Sequence, residues 1–361
     1  MKLENILEDI IKIPSVTSDL EACRKTVEYI IDLAQKENLK TKLFVNDQVL
    51  SLLIAKEIKN NYEVILNGHL DVVPASKEQF VPKIKIEKGK RIMYGRGTSD
   101  MKGPVVSILL AFIESISEDC NKDIALLFTT DEEFGGFKGM KYLIDQNLRA
   151  NIFFIPDGGN NWSICTDQKG VFHIRFTAKG ISAHGSRVWL GDNAVVKLIT
   201  VFENIEREFL KRWGKATKKI NWKPTVNLGA LNGGDNANKV PNVATMLIDI
   251  RYPTPVTQSE LEEIVKSSIV DGVTWETISS GAPLSTNIKN EYINKWIDVL
   301  DDKPVFEQEA GASDGRFLAE KGINVLLTKP RSSEPHIDNE WIDLDDLIVF
   351  KDSVKRWIRS I

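Results

Sequence analysis

EVILNGHLDVVP, residues 63–74, is the stretch from which the rest of the chain is read. Glu63 to Asn67 is a short β-branched and apolar run of the kind that forms a buried strand. Gly68 marks its end, which predicts that His69 and Asp71 emerge at the strand's carboxyl edge. Open α/β sheets place their ligands outside that edge. The His-x-Asp spacing suits a histidine that ligates a metal through one ring nitrogen while a nearby carboxylate fixes its tautomer. Taken alone, the tripeptide is weak, since a histidine after a strand is more often an ordinary loop residue.

On the amino-terminal side, Leu3, Ile6, Leu7, Ile10 and Ile11 recur at helical spacing up to Pro14. A second helix follows over Leu20 to Glu37, then two strands, Leu43 to Val45 and Leu50 to Ala55, around an Asn46-Asp47 turn. On the carboxyl side the spacing predicts a helix over Gly103 to Ser117, a strand over Ile124 to Thr130, a helix over Lys138 to Gln146 and a strand over Ile152 to Ile155. Strands alternating with helices at this length predict a mainly parallel sheet covered on both faces. After about Gly170 the order becomes βαββαβ: strand Val171 to Ala178, helix Asn193 to Trp213, strands Thr225 to Leu231 and Thr245 to Arg251, helix Ser259 to Val270, and strand Val273 to Ile278. That is the split ferredoxin-like arrangement, placed here as an insert over 177–281 in a discontinuous domain of 1–176 and 282–361. From Asn290 the pattern of the first part of the chain returns, with helices to Leu300, over Ser313 to Lys321 and from Leu344, and a strand over Asn324 to Thr328.

The 361 residues, 42% hydrophobic and 27% charged, are a globular composition with ample material for a core. With 47 basic and 51 acidic residues and no long basic cluster, nucleic acid is not an expected partner. No apolar run approaches bilayer length and the start has no signal-peptide layout, so a cytoplasmic protein without membrane partners is expected. Cys23, Cys120 and Cys165 are widely spaced without a CxxC pair, and are read as buried or neutral thiols.

Of the four histidines, His69, His184 and His336 sit in Gly- or Pro-punctuated loops, whereas His173 lies in an alternating strand and reads as structural. Asp100 follows the turn Gly95-Arg96-Gly97, Asp131-Glu132-Glu133 ends one predicted strand, and Asp157 follows another. Each has a plain alternative: a helix cap for Asp100, a charged turn for residues 131–133, a turn residue for Asp157. Together, at adjoining carboxyl edges, these carboxylates would repel one another unless a divalent cation, or a pair of them, lay between. Adjacent Glu132 and Glu133 suit a division in which one carboxylate ligates a metal and the other takes a proton from water.

The motifs GHLDVVP, YGRGTSDMKGP, TTDEEFGG, IPDGG, SAHGS and EPHIDNE, in this order across most of the chain, resemble the M20 metallopeptidase family, which includes desuccinylases, deacetylases, carboxypeptidases and dipeptidases. The resemblance implies an α/β fold: a zinc-hydrolase catalytic domain with a mainly parallel sheet and helices on both faces, and an inserted ferredoxin-like lid that dimerises. It implies two zinc ions about 3.5 Å apart, with Co²⁺ or Mn²⁺ able to replace them. His69 and Asp157 would hold one, Glu133 and His336 the other, and Asp100 would bridge them. Asp71 would orient His69, and Glu132 would be the general base. The peptide Asp100-Met101 would be cis. His184 would reach the site of the partner subunit and donate to the oxyanion.

On the substrate side, Ser313 and Arg316 lie in GASDGRF, similar to the family's GTSDGRF segment, where the arginine faces a substrate carboxylate. Asn238 and Arg251 resemble substrate-facing positions of the lid, although Arg251 also suits an ion pair with Asp249. Ala312 replaces the motif's threonine, and Asp157 stands where desuccinylases and carboxypeptidases usually have glutamate and dipeptidases aspartate. The expected reaction is therefore amide cleavage in a small carboxylate-bearing substrate, an N-acetyl or N-succinyl amino acid, with dipeptidase, aminopeptidase or carboxypeptidase action as the alternative. A non-catalytic ligand-binding module is the remote one.

Overall fold

The computed structural model describes residues 2–118 and 120–361. The chain forms two compact units, Met1–Thr166 with Thr286–Glu309 and Ser313–Ile361, and Asp167–Ser285 with Ala310–Ala312.

The sheet of the first unit runs in the order Lys40–Asn46, Val49–Ala55, Ile124–Thr129, Asn61–His69, Arg149–Ile155, Asn324–Leu327, Ile164–Gln168. Its four middle strands, Ile124–Thr129 to Asn324–Leu327, are parallel. The hairpin Lys40–Asn46 and Val49–Ala55 pairs antiparallel at one side, and Ile164–Gln168 at the other. Ile124–Thr129 is buried at every position, which is why it reads as a continuous apolar run and not as an alternating one. The helix Lys102–Ser117 is apolar nearly all round and buried to match. Phe154 in the sheet meets Trp296 and Trp357 at ring separations of 5.1 Å each, joining the helices Glu291–Val299 and Leu344–Ser360 to one core.

The strand Asn61–His69 runs through Gly68 and does not end there. A Cβ on Gly68 would stand 2.6 Å from Val105 Cγ2 and 3.0 Å from Met101 Cε, so glycine is required for close packing and not to stop the strand.

A separate antiparallel sheet, Lys83–Glu87, Lys90–Tyr94 and Trp341–Asp343, was not expected from the sequence. It corrects the origin of Asp100, which follows the strand Lys90–Tyr94 of this small sheet and does not come from the edge of the parallel one. Asp100 is no helix cap either: the N-cap of Lys102–Ser117 is Met101, without a side-chain cap bond. The Asp100-Met101 peptide is cis.

The second unit has the expected βαββαβ order, with its strands arranged Thr225–Gly233, Val243–Tyr252, Gly170–Lys179, Val273–Gly281 and every pair antiparallel. Phe172, Ile174, Phe176 and Ala178 alternate onto one face and pack with Leu198, Val201 and Ile205 of the helix Ala194–Trp213. The strand Gly170–Lys179 pairs along its whole length inside this unit, so the unit starts upstream of residue 177. Among the described residues, no helix is long and apolar enough to cross a membrane.

Candidate metal centre

The strand Asn61–His69 delivers His69 almost wholly buried, 2% exposed. Its Nδ1 lies 2.9 Å from the backbone carbonyl oxygen of Asp71, which fixes Nδ1 as the donor and leaves Nε2 facing Asp100 Oδ1 at 3.0 Å. The expected orienting partner was the Asp71 carboxylate, but that group is farther away, 3.5 Å from Nδ1. It accepts instead from Thr17 Oγ1 at 2.8 Å and from the backbone N–H groups of Glu132 and Glu133 at 3.3 and 3.2 Å. Asp71 therefore serves two elements: its carbonyl aims the imidazole, and its side chain holds the turn that carries the adjacent glutamates.

The second oxygen of Asp100 lies 3.2 Å from His336 Nε2, and the same nitrogen is 3.1 Å from Glu133 Oε2. His336 reaches this position with a left-handed backbone, φ 64°, uncommon outside glycine and concentrated at functional sites. Ligand atoms of His69, Asp100 and Glu133 lie within 4.8 Å of one another, as do those of His69, Glu132 and Asp157. All five expected ligands and Glu132 thus belong to one cluster.

The electrostatics match a site built for positive charge. Burial pushes the Glu132 and Asp157 carboxyls well above the usual range, with repulsion from neighbouring carboxylates adding to it. Burial raises Glu133 too. At Asp100 burial acts in the same sense, but hydrogen bonds from His336 and His69 outweigh it and hold the group below the ordinary range. The bonds to Asp100 and Glu133 push His336 up to about 10. At His69 burial favours the neutral ring, and the contacts with Asp100 and Asp71 overcome it. Glu133 Oε1 is buried with no partner. A mixed imidazole and carboxylate donor set with an orphaned oxygen fits zinc or a similar divalent cation.

The residues expected on the substrate side make the following contacts within the chain. Arg316 is 7% exposed, its Nη2 donates to the Gly135 carbonyl at 2.5 Å, and its guanidinium lies 4.7 Å from the Phe317 ring centre. It supports the far end of the Glu132-Glu133 turn. Ser313 is buried, and its Oγ accepts from Gly315 N at 3.3 Å. In the second unit His184 and Asn238 are neighbours: Gly185 N donates to the Asn238 carbonyl at 2.7 Å, and His184 bridges to Lys239. His184 Nδ1 lies 2.8 Å from Ser186 Oγ. Arg251 Nε donates to Asp249 at 2.8 Å, the ion-pair alternative for this residue, and His173 Nε2 contacts the same carboxylate at 3.1 Å.

Two buried groups near the centre carry no signal in the sequence. Lys102 Nζ donates to the carbonyls of Ile10 and Ile13 at 2.8 Å each, and burial pulls it down to about 7. Glu340 ends the EPHIDNE motif with its side chain fully enclosed. A charged residue in a charged loop has no local sign of burial.

Residues 65–360 match the profile of peptidase family M20/M25/M40. A probable carboxypeptidase of Paracoccidioides brasiliensis is 28% identical over 238 residues, 63% of this chain and 51% of that protein, so the chain spans about half the length of this relative. A [LysW]-lysine/[LysW]-ornithine hydrolase of Sulfurisphaera tokodaii is 25% identical over 291 residues, 80% of this chain and 78% of that protein. The M20 family metallo-carboxypeptidase Sso-CP2 of Sulfolobus solfataricus superposes with a TM-score of 0.81 at 18% identity, covering 99% of each chain.

Proposed function

Since the chain belongs to peptidase family M20/M25/M40, we propose that it is a zinc-dependent hydrolase holding two cations, which cleaves an amide bond in a small carboxylate-bearing substrate, an N-acyl amino acid or a dipeptide. The observation that carries this reading is the Asp100 carboxylate, faced on one oxygen by His69 at 3.0 Å and on the other by His336 at 3.2 Å. His69, Asp100, Glu133, Asp157 and His336 would hold the zinc ions, which when bound polarise the scissile carbonyl as Lewis acids. Glu132 takes a proton from the attacking water and passes it to the leaving amine, and its raised proton affinity suits both transfers. Asp71 and Arg316 fix the two ends of the turn that presents it.

The acyl or peptidyl preference is the finer part of the proposal. Support for a peptidase comes from the name of the Paracoccidioides relative, and support for release of an amino acid from a conjugate comes from that of the Sulfurisphaera one. N-acetyl and N-succinyl amino acids and dipeptides, presented in parallel to zinc-loaded protein, test the choice. Cleavage confined to one class identifies the substrate. Absence of cleavage throughout the panel, in protein verified to carry metal, would remove the proposal.

Dimerisation through the second unit, with His184 completing the site of the partner copy, is proposed on the family resemblance. Mixing His184→Ala with Glu132→Ala chains checks it. If His184 acts in trans, each mixed dimer has one site with both residues intact, and random exchange should restore roughly a quarter of wild-type activity. No recovery, in a sample shown to have exchanged subunits, would place His184 in its own chain's site, and full activity of His184→Ala alone would place it outside catalysis.

A further inference from the structure

The segment carrying Asp100 and the segment carrying His336 meet at one side chain that the proposed mechanism does not use. Glu340 is four residues beyond His336, and its carboxylate is 0% exposed. Its Oε1 accepts the backbone N–H groups of Ser99 at 2.8 Å and of Asp100 itself at 3.0 Å. Its Oε2 accepts from Gly97 N at 3.1 Å and from Arg96 Nη1 at 2.6 Å. The backbone joins in the other direction, with Gly95 N donating to the Glu340 carbonyl at 3.0 Å. One buried charge thus gathers the turn Gly95–Asp100, with Arg96, itself 3% exposed, supplying the balancing cation.

We infer that Glu340 is a positioning residue for the proposed cation pair, setting the Asp100 carboxylate against His336 by clamping the backbone that carries it. The inference rests on the two-cation reading of the site. The turn has no regular secondary structure to hold it, and the Glu340 carboxylate bonds the N–H of Asp100 directly. Its covalent link to His336 is short. A shift of Glu340 therefore moves a side chain that touches both imidazoles. Groups that orient ligands from behind usually alter metal affinity by about 10- to 100-fold when removed.

Glu340→Gln keeps the shape, but sets an amide NH₂ against N–H donors and leaves Arg96 without its counter-charge. Co²⁺ titration is the direct readout, with binding and the visible absorption of the bound ion recorded beside circular dichroism on the same samples. The wild type is expected to take up two Co²⁺ per chain. Folded Glu340→Gln is expected to bind them about 10- to 100-fold more weakly, with a changed visible band and a lower kcat at little-altered KM. If Glu340→Gln does not fold, Glu340→Asp, which keeps the charge but withdraws it by one methylene, is read in the same way. Wild-type affinity and spectrum in the folded variant overturn the inference, as does Co²⁺ loss that merely tracks the unfolded fraction. A wild type that takes up no metal would overturn the cation reading itself, and this inference with it.

Discussion

Replacing Glu132 with glutamine is expected to lower kcat by on the order of 10²- to 10⁴-fold while the metal content of the chain stays unchanged. The carboxylate is surrounded by groups that raise its proton affinity, burial first and then Asp157, Asp314 and Glu133, with His69 acting in the other direction. A carboxylate so raised is a stronger base than an ordinary one, suited to accept a proton from water and return it to a leaving amine. Glutamine fills the same volume and does neither. Because Glu132 also lies within ligand distance of His69 and Asp157, the measurement has to separate a base from a ligand. Elemental analysis beside the kinetic assay does this: metal lost together with activity would make Glu132 a ligand and end the assignment. Glu133→Gln supplies the contrast, since its carboxylate meets His336 at 3.1 Å and its loss should release metal.

Removing the metal should abolish turnover, with Zn²⁺, Co²⁺ or Mn²⁺ restoring it, and should make stability fall as pH rises. Asp131 is pushed up to about 6 and Asp314 to about 7, in each case chiefly by burial. Both begin from an ordinary value of 3.8, so between that value and about 7 the folded state binds more protons than the unfolded one. Stability then decreases with rising pH, present in full below the unfolded value and lost through the folded ones. Above that range His336, raised from 6.5 to about 10, has the same sign, and Lys102, lowered from 10.5 to about 7, opposes it, so the fall is expected between about 4 and 7. Cations displace protons from this cluster, so metal binds better as pH rises, and the gain in melting temperature on adding Zn²⁺ should be larger at pH 8 than at pH 5. A gain that is flat or reversed across this range, or activity that persists in verified metal-free protein, would contradict the proposed site.

Whether a residue's role is legible in the sequence depends on whether its neighbours in the chain announce it. Val64 to Asn67 is buried by the sheet on both sides, so this apolar run is legible, as is the alternation of Phe172, Ile174 and Phe176 in the second unit. The motif histidines and acids are legible because loops punctuated by glycine and proline have little other use for them. The small sheet is not, although KIKIE alternates, because Lys83–Glu87 is exposed throughout and its charges read as a solvated loop. Arg316 points to a substrate carboxylate by type and motif, and its bond to the carbonyl of Gly135 is one that no side-chain pattern encodes. Glu340 is opaque for the same reason: three of the four partners of its carboxylate are backbone N–H groups far away in the chain.

The division of the first unit into pieces on either side of the second has a consequence for synthesis. His69, Asp100, Glu133 and Asp157 all leave the ribosome before the inserted unit is made, whereas His336 and the strand Asn324–Leu327 emerge only after it. For that interval the nascent chain holds four carboxylates, Glu132 among them, without the second imidazole and without the strand that pairs beside Arg149–Ile155. The inserted unit, whose pairing partners are contiguous in the chain, can complete itself first. The proposed centre would therefore close last, by the carboxyl-terminal segment, and a polypeptide interrupted within that segment would carry most of the proposed ligands with no means of assembling them.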